Sequence, residues 1–422
     1  MLPSDWRTLE DWRRAARDPR AAAAELRRRI NALPDVQRRA QWAWVKGSKA
    51  LEHSFEAAAA NKSPVSGAPF ALKDLFTLAG TRTSAGANLP TRRAPLARHD
   101  GNMAEALARA GAICVGKTHL YEFAYGLTGE NATYGDCVLP HHRSRTTGGS
   151  SSGSAAAVAW GIVPFSIGTD TGGSMRIPAS FCGLHAVRLS PGDSLIRDAF
   201  PLAPSFDTAG WFATSAEDLH QVCVALLGPS PRLKRRATGV SFTFADWGLR
   251  ARAEVAYATR RAGRTLAPAA NREQAAALRE VSAGSRDAYA ILQSREAYAI
   301  HKAWLRLKPD CYTPEVRSRL ERGQSHTPDQ VEWALSHQKR VRAFFAECFK
   351  VSAFVVLPGA PFPALKKQEC NLANRLRILD VTALASLAGL PVRTLPVPLP
   401  SGLHAGLQVV VPDTRSLLAL PF

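Results

Sequence analysis

At 422 residues, with 46% apolar and 21% charged side chains, the chain is long enough to bury a large core and too apolar to be mostly disordered. Its formal net charge of +19 would suit a polyanionic partner, but arginine is spread along the chain, Lys234-Arg235-Arg236 is the densest cluster, and no RNA-binding module accompanies it, so a dedicated nucleic-acid groove is not expected. Seven unpaired cysteines (Cys114, Cys137, Cys182, Cys223, Cys311, Cys348, Cys370) and an N-terminus without an apolar h-region point to reduced thiols in a cytoplasmic protein, and the most apolar stretch, Ala155 to Ile167, is shorter than a membrane span and broken by Gly161 and Pro164.

In chain order, residues 5–60 read as helices, rich in Ala, Arg and Glu, with Leu26, Ile30 and Leu33 at helical spacing. Val65 to Leu72 reads as a strand that delivers Lys73. Ala104 to Ala110 reads as a helix closed by Gly111, and Ala112 to Val115 as a short buried strand. Thr146 to Ser190 is rich in Gly and Ser, with a helix near Ser154–Trp160 and a strand near Val163–Ile167. Residues 230–290 are basic and Ala-rich and read as helical excursions; 291–349 continue helical with breaks at Pro309 and Pro314. Val351–Leu357, Val392–Val397 and Ala405–Val411 read as further strands. Alternating helices and short apolar strands imply a layered α/β fold, and the lack of any linker favours one large domain.

Three separated segments carry the chemistry. Lys73 ends the apolar run Phe70-Ala71-Leu72. A lysine is a base only when neutral, and burial without a carboxylate partner favours that form; Asp74 would hold it charged if it turned inward. The segments Gly148-Gly149-Ser150-Ser151-Ser152-Gly153-Ser154 and Gly168-Thr169-Asp170-Thr171-Gly172-Gly173-Ser174 place Ser150 and Ser174 24 positions apart. Either segment alone would serve as a turn or a helix cap. Their glycines also let consecutive backbone N–H groups converge on one point, as a developing oxyanion requires, and a serine hydroxyl becomes a nucleophile only beside a base.

Other motifs carry less. Gly111-Ala-Ile-Cys-Val-Gly116-Lys117-Thr118 matches the phosphate-binding loop letter for letter, but that loop needs a strand before its first glycine and a helix opening at the lysine. Here a helix precedes Gly111 and Ile113–Val115 is strand-like, so Gly111 reads as the residue closing a helix and nucleotide binding is not expected. His141-His142 has no further ligand at metal spacing, so no metal is expected, and Cys182 reads as an inert buried thiol.

Taken together, Lys73, Ser150 and Ser174 in these settings resemble the amidase signature family, with recognisable motifs from about Ala68 to Thr214 and again in the C-terminal strands. The resemblance implies an α/β fold in a single large domain, a mixed β-sheet covered by helices on both faces. Within it, 1–60 would be N-terminal helices, 61–225 the catalytic core, 226–350 a variable helical region and 351–422 the C-terminal strands of the core sheet. It implies Ser174 as nucleophile, Ser150 as a bridging serine on a cis peptide bond, and Lys73 as terminal base. The amides of Thr171, Gly172, Gly173 and Ser174 would form the oxyanion hole, Ser151 would support the network, and Asp170 and Arg176 would hold the loop. The implied activity is hydrolysis of a small carboxamide to carboxylate and ammonia, without a cofactor. Gly129–Gly135, Ser166–Asp170 and Ser205–Phe212 look like the compact indole-3-acetamide hydrolases, which would make arylacetamides substrates, with Tyr134 and Trp211 as pocket walls unless Trp211 fills the core.

Alternatives are a hydrolase of urea- or biuret-type amides, a component resembling the tRNA-dependent amidotransferases, and a silent binding homologue, the last opposed by the intact triad. The expected partner is a small amide rather than a membrane, and a homodimer is compatible. Two departures bear on the pocket and on partner surfaces: Leu184-His-Ala-Val-Arg188-Leu-Ser-Pro191 replaces a Lys-Pro-Thr-like turn, and the chain reaches Phe422 without the long terminal helix of larger members.

Overall fold

Ten short strands join in one sheet in the computed structural model, which describes residues 6–59, 61–88, 95–229 and 238–420. The basic cluster Lys234-Arg235-Arg236 lies outside the described residues. The strands are β1 (Trp42–Val45), β2 (Pro69–Lys73), β3 (Ile113–Thr118), β4 (Phe165–Thr169), β5 (His185–Arg188), β6 (Ala209–Ala213), β7 (Gly239–Ser241), β8 (Phe354–Pro358), β9 (Val392–Pro398) and β10 (His404–Val410). Their order is β1-β3-β2-β4-β6-β5-β9-β10-β8-β7. The pairs β2–β3, β2–β4 and β7–β8 are parallel and the remaining pairs antiparallel, so the sheet is mixed.

Both faces of the sheet are covered, and the strand sequences show why. Phe70 and Leu72 of β2 enter one apolar cluster while Ala71 enters another. Cys114 and its neighbours Ile113 and Val115 divide in the same way, as do Trp211 and Phe212. Successive side chains of a strand point to opposite faces, so runs that are apolar at every position need helices on both sides. One face packs against Pro19–Asn31, Ser48–Ala58 and Ser152–Ala159; the other packs against the helices of the second half, including Leu372–Ala388.

Most expected elements fall within a few residues of their positions, and four strands, β1, β5, β6 and β7, were not foreseen; β7 lies in the stretch read as helical excursions. Trp42–Val45 lies within the stretch read as helical, because Trp42 and Val45 also satisfy helical spacing; it instead pairs antiparallel with β3 at the sheet edge. β5 and β6 are short and interrupted by polar or small residues, which removes the usual strand signal. Gly210 in β6 is required by close approach, since a Cβ there would lie 2.2 Å from the carbonyl oxygen of Val187. The helix Pro328–Val351 also runs to Val351, so β8 begins only at Phe354. Gly111, at φ +75°, does close the helix Asn102–Arg109, and Lys117 lies inside β3, where no helix opens.

The parallel neighbours β2 and β4 end side by side, at Lys73 and Thr169. The short helix Ser152–Ala159 packs on the Ala71 side of the sheet, which by strand alternation is also the side of Lys73. That arrangement brings the Ser150–Ser151 turn to the end of β2.

Candidate active site

Lys73 is completely buried at the end of β2, and its Nζ lies against three hydroxyls: Ser150 Oγ at 2.8 Å, Ser151 Oγ at 2.9 Å and Thr169 Oγ1 at 2.7 Å. Ser151 Oγ donates its proton to the carbonyl of Thr169 at 3.1 Å, so its contact with Lys73 is as an acceptor. The peptide bond Gly149–Ser150 is cis. Asp74, the adjacent carboxylate, turns away and is held by Lys117 at 2.6 Å and by the amide of Ser84 at 2.8 Å. Lys73 therefore meets no carboxylate in contact. Burial pulls its pKa down to about 7, outweighing the opposing fields of Asp170 and Asp207. At that value a large fraction is neutral near neutral pH. Lys117, the lysine of the phosphate-loop look-alike, is instead locked into its buried ion pair with Asp74.

The turn after β4 is organised around Asp170, which is fully buried. Its carboxylate accepts the amides of Gly173 at 2.8 Å and Met175 at 3.0 Å, and pairs with Arg176 at 2.9 Å and Arg188 at 3.0 Å. Burial pushes the Asp170 carboxyl up, but the two guanidiniums outweigh it and hold the group well below the usual carboxylate range. Arg176 continues the network to the Thr382 carbonyl and Gln408 Oε1, both at 2.8 Å, and Ser386 Oγ accepts from both arginines. Asp170→Asn would leave two buried guanidiniums without a carboxylate. We expect a loss of about 3–5 kcal/mol of unfolding free energy, read by chemical denaturation; a loss below about 1 kcal/mol would contradict this role.

Ser174 sits in this turn, 2% exposed. The Gly173 amide is engaged by Asp170, which corrects the expectation that it is free for an oxyanion. The amides of Thr171, Gly172 and Ser174 make no hydrogen bond among the described residues. Thr382 Oγ1 donates to the carbonyl of Gly172 at 2.6 Å, and Thr171 Oγ1 donates to Asp207 Oδ1 at 2.6 Å, so the turn is fixed from both sides. A Cβ on Gly172 would lie 2.3 Å from the Tyr289 hydroxyl. Gly172→Ala should therefore displace the turn and lower kcat/KM at least about tenfold, measured by steady-state ammonia release. The structure brings Lys73, Ser150, Ser151 and Thr169 into direct contact; a Ser150–Ser174 hydrogen bond is not among its contacts.

Beside Thr169 lies a cavity of about 330 Å³, at the small end for ligand sites, walled by Leu75, Ala124, Ile196, Phe200 and Leu202 with Asp207 at its edge. Neither expected aromatic lines it. Trp211 is fully buried in β6 within the core cluster, because β6 is covered on both faces. Tyr134 stacks on His119 with ring centroids 3.7 Å apart, and its hydroxyl donates to the Ala87 carbonyl at 3.2 Å. Phe200 is the aromatic residue that the sequence reading missed, together with Thr169, Asp207, Thr382 and Arg188. Thr169 and Asp207 stood inside quoted motifs; Phe200 and Thr382 carry no local signal. Among the described residues, no group of three or more His, Cys, Asp or Glu side chains converges as a metal site requires, and no helix is long and apolar enough to cross a membrane.

A family model described as Amidase matches residues 24–284. The AtzE component of the 1-carboxybiuret hydrolase of Pseudomonas sp. (strain ADP) is 43% identical over 168 residues, 40% of this chain and 36% of that protein. A glutamyl-tRNA(Gln) amidotransferase subunit of Legionella pneumophila subsp. pneumophila (strain Philadelphia 1 / ATCC 33152 / DSM 7513) is 44% identical over 166 residues, 39% of this chain and 34% of that one. The matched region thus spans little more than a third of these curated relatives. A solved structure described as an amidase superposes with a TM-score of 0.83 at 31% identity, covering 98% of both chains.

Proposed function

The chain belongs to the amidase family, hydrolases of amide C–N bonds, and from that premise we propose that it cleaves a small carboxamide through an acyl-enzyme on Ser174. Neutral Lys73 accepts the Ser150 proton while Ser150 takes the Ser174 proton, and Ser174 Oγ attacks the carbonyl carbon. The amides of Thr171, Gly172 and Ser174 receive the oxyanion; each such donor is worth roughly 3–4 kcal/mol in the barrier. Collapse breaks the C–N bond as the relay returns its proton to the leaving nitrogen, releasing ammonia. Water, deprotonated by the same relay, then hydrolyses the ester and restores Ser174.

The observation that carries this reading is the buried Lys73 amine among three hydroxyls without a carboxylate in contact. In the proposed cycle Ser151 orients that amine, and Asp170 with Arg176 holds the turn. With Trp211 in the core and Tyr134 stacked on His119, neither aromatic supports an arylacetyl preference, so we propose a small amide that fits the cavity beside Thr169. Ammonia release over a panel of small amides tests it: turnover of at least one member is expected, and no release from any member would count against it.

A second reading, a component of an assembly that works on tRNA, is favoured by the likeness to the amidotransferase and by the net charge of +19. Retention on immobilised tRNA at physiological salt would support it, and free elution would exclude it.

A further inference from the structure

One wall of the cavity beside Thr169 is held in a conformation that its own sequence does not favour. Ala124 lines that cavity, and Phe123 and Ala124 both lie in the left-handed region, at φ +50° and +59°. Ala85, whose carbonyl accepts the Phe123 amide at 2.8 Å, is there too, at φ +53°. Among the described residues these are the non-glycine positions with positive φ, and they adjoin one another at this wall. A residue with a Cβ takes up such angles only where its surroundings enforce them, and such residues gather at functional sites.

The enforcing groups come from two directions. The start of the segment is tied to the catalytic turn, because the Tyr121 amide donates to the Ser150 carbonyl at 3.0 Å. Its far end is gripped from the helix Pro314–Glu321, in the region that the sequence presents as variable. Arg319 is buried there, and its guanidinium donates to the Tyr125 carbonyl at 2.6 Å, 194 positions away in the chain, and to the Tyr121 hydroxyl at 3.2 Å. Glu315 pairs with Arg319 and accepts the Tyr121 hydroxyl at 3.2 Å. Thr313 donates its amide, at 3.0 Å, and its hydroxyl to the buried Glu122 carboxylate. Behind the wall, the Phe123 ring packs on His301 and Tyr312, with centroids 4.7 and 5.1 Å away, and on Phe200, itself a cavity wall, at 5.8 Å.

We propose that Arg319 is a positioning residue that sets the acyl-size preference of the amidase site, holding the Tyr121–Tyr125 segment against the cavity so that short acyl groups are retained and longer ones rejected. This rests on the amidase reading above. Without the guanidinium the Tyr125 carbonyl loses that donor, Phe123 and Ala124 relax toward ordinary backbone angles, and the wall recedes. Lys73, Ser150 and Ser174 stay where β2, β4 and the Asp170 turn hold them, so the chemistry persists while the size preference changes.

The test compares kcat/KM for propionamide with that for hexanamide. In Arg319→Met the propionamide-to-hexanamide ratio should fall at least about tenfold, the least that one methylene of pocket contact is worth. The change should fall on KM, with kcat for propionamide within about threefold of the wild type. A ratio does not depend on the folded fraction, so general destabilisation would leave it where it was. Thr313→Val, which removes a single hydroxyl, should shift the ratio the same way, and it carries the test alone if Arg319→Met does not fold. Arg317→Met, on the same helix but in an exposed ion pair with Glu321, should not shift it. An unchanged ratio in the folded variants, or an equal shift in Arg317→Met, would overturn the assignment. Hydrogen–deuterium exchange at the Phe123 and Tyr125 amides reads the clamp without any substrate. It should accelerate at least about tenfold in Arg319→Met while the Gly173 amide keeps its protection. Accelerated exchange in a protein that turns over no amide would count against the amidase reading and leave the clamp standing; unchanged exchange would overturn the clamp.

Discussion

Ser174→Ala should abolish turnover, with kcat falling on the order of 10⁴–10⁶-fold, while the protein remains folded and its stability changes by less than about 1.5 kcal/mol. The asymmetry follows from the site. Asp170 builds the turn through the amides of Gly173 and Met175 and through two arginines, none of which involves the Ser174 hydroxyl. Removing that hydroxyl takes away the nucleophile and leaves the scaffold. Circular dichroism and denaturation midpoints would report the second half, and ammonia release the first. Substantial turnover by a folded Ser174→Ala protein would remove Ser174 from its role.

The pH dependence of kcat/KM provides the second large effect. The reactive form of Lys73 is the neutral amine, whose fraction grows as pH rises through a pKa of about 7. Activity should therefore climb about tenfold per pH unit below that value and level off above it. Lys73→Ala should be inactive by at least about 10²–10⁴-fold. Lys73→Arg should not restore activity, because a guanidinium stays protonated at any usable pH. The buried hydroxyls of Ser150, Ser151 and Thr169 would also face a fixed charge without a carboxylate. A Lys73→Arg enzyme with appreciable activity, or a profile that falls as pH rises through the Lys73 pKa, would contradict the base assignment.

Much of this architecture was legible from local patterns. The apolar run before Lys73 announced a buried strand end, and the two Gly/Ser-rich segments announced tight turns beside a helix and a strand. What the residues could not disclose was pairing across distance. β5 and β6 have sequences too short and too mixed to read as strands, yet β6 lies between β4 and β5 and carries Trp211 into the core rather than to the substrate. Asp74 looked as able as any neighbour to hold Lys73 charged, and only its pairing with Lys117 in β3 shows that it does not. Gly173 looked like an oxyanion donor until Asp170 was seen to take its amide. Thr382, Ser386 and Gln408 come from a helix and a strand far along the chain from the nucleophile turn, where no local motif marks them.

The central claim is that Ser174 forms the covalent intermediate. Treating the native enzyme with a fluorophosphonate at mildly alkaline pH and mapping the adduct by peptide mass spectrometry tests it directly. We expect a single phosphonylated residue, Ser174, with activity lost in proportion to labelling and no adduct in Ser174→Ala. An adduct on any other residue, or full activity in the labelled protein, would contradict it.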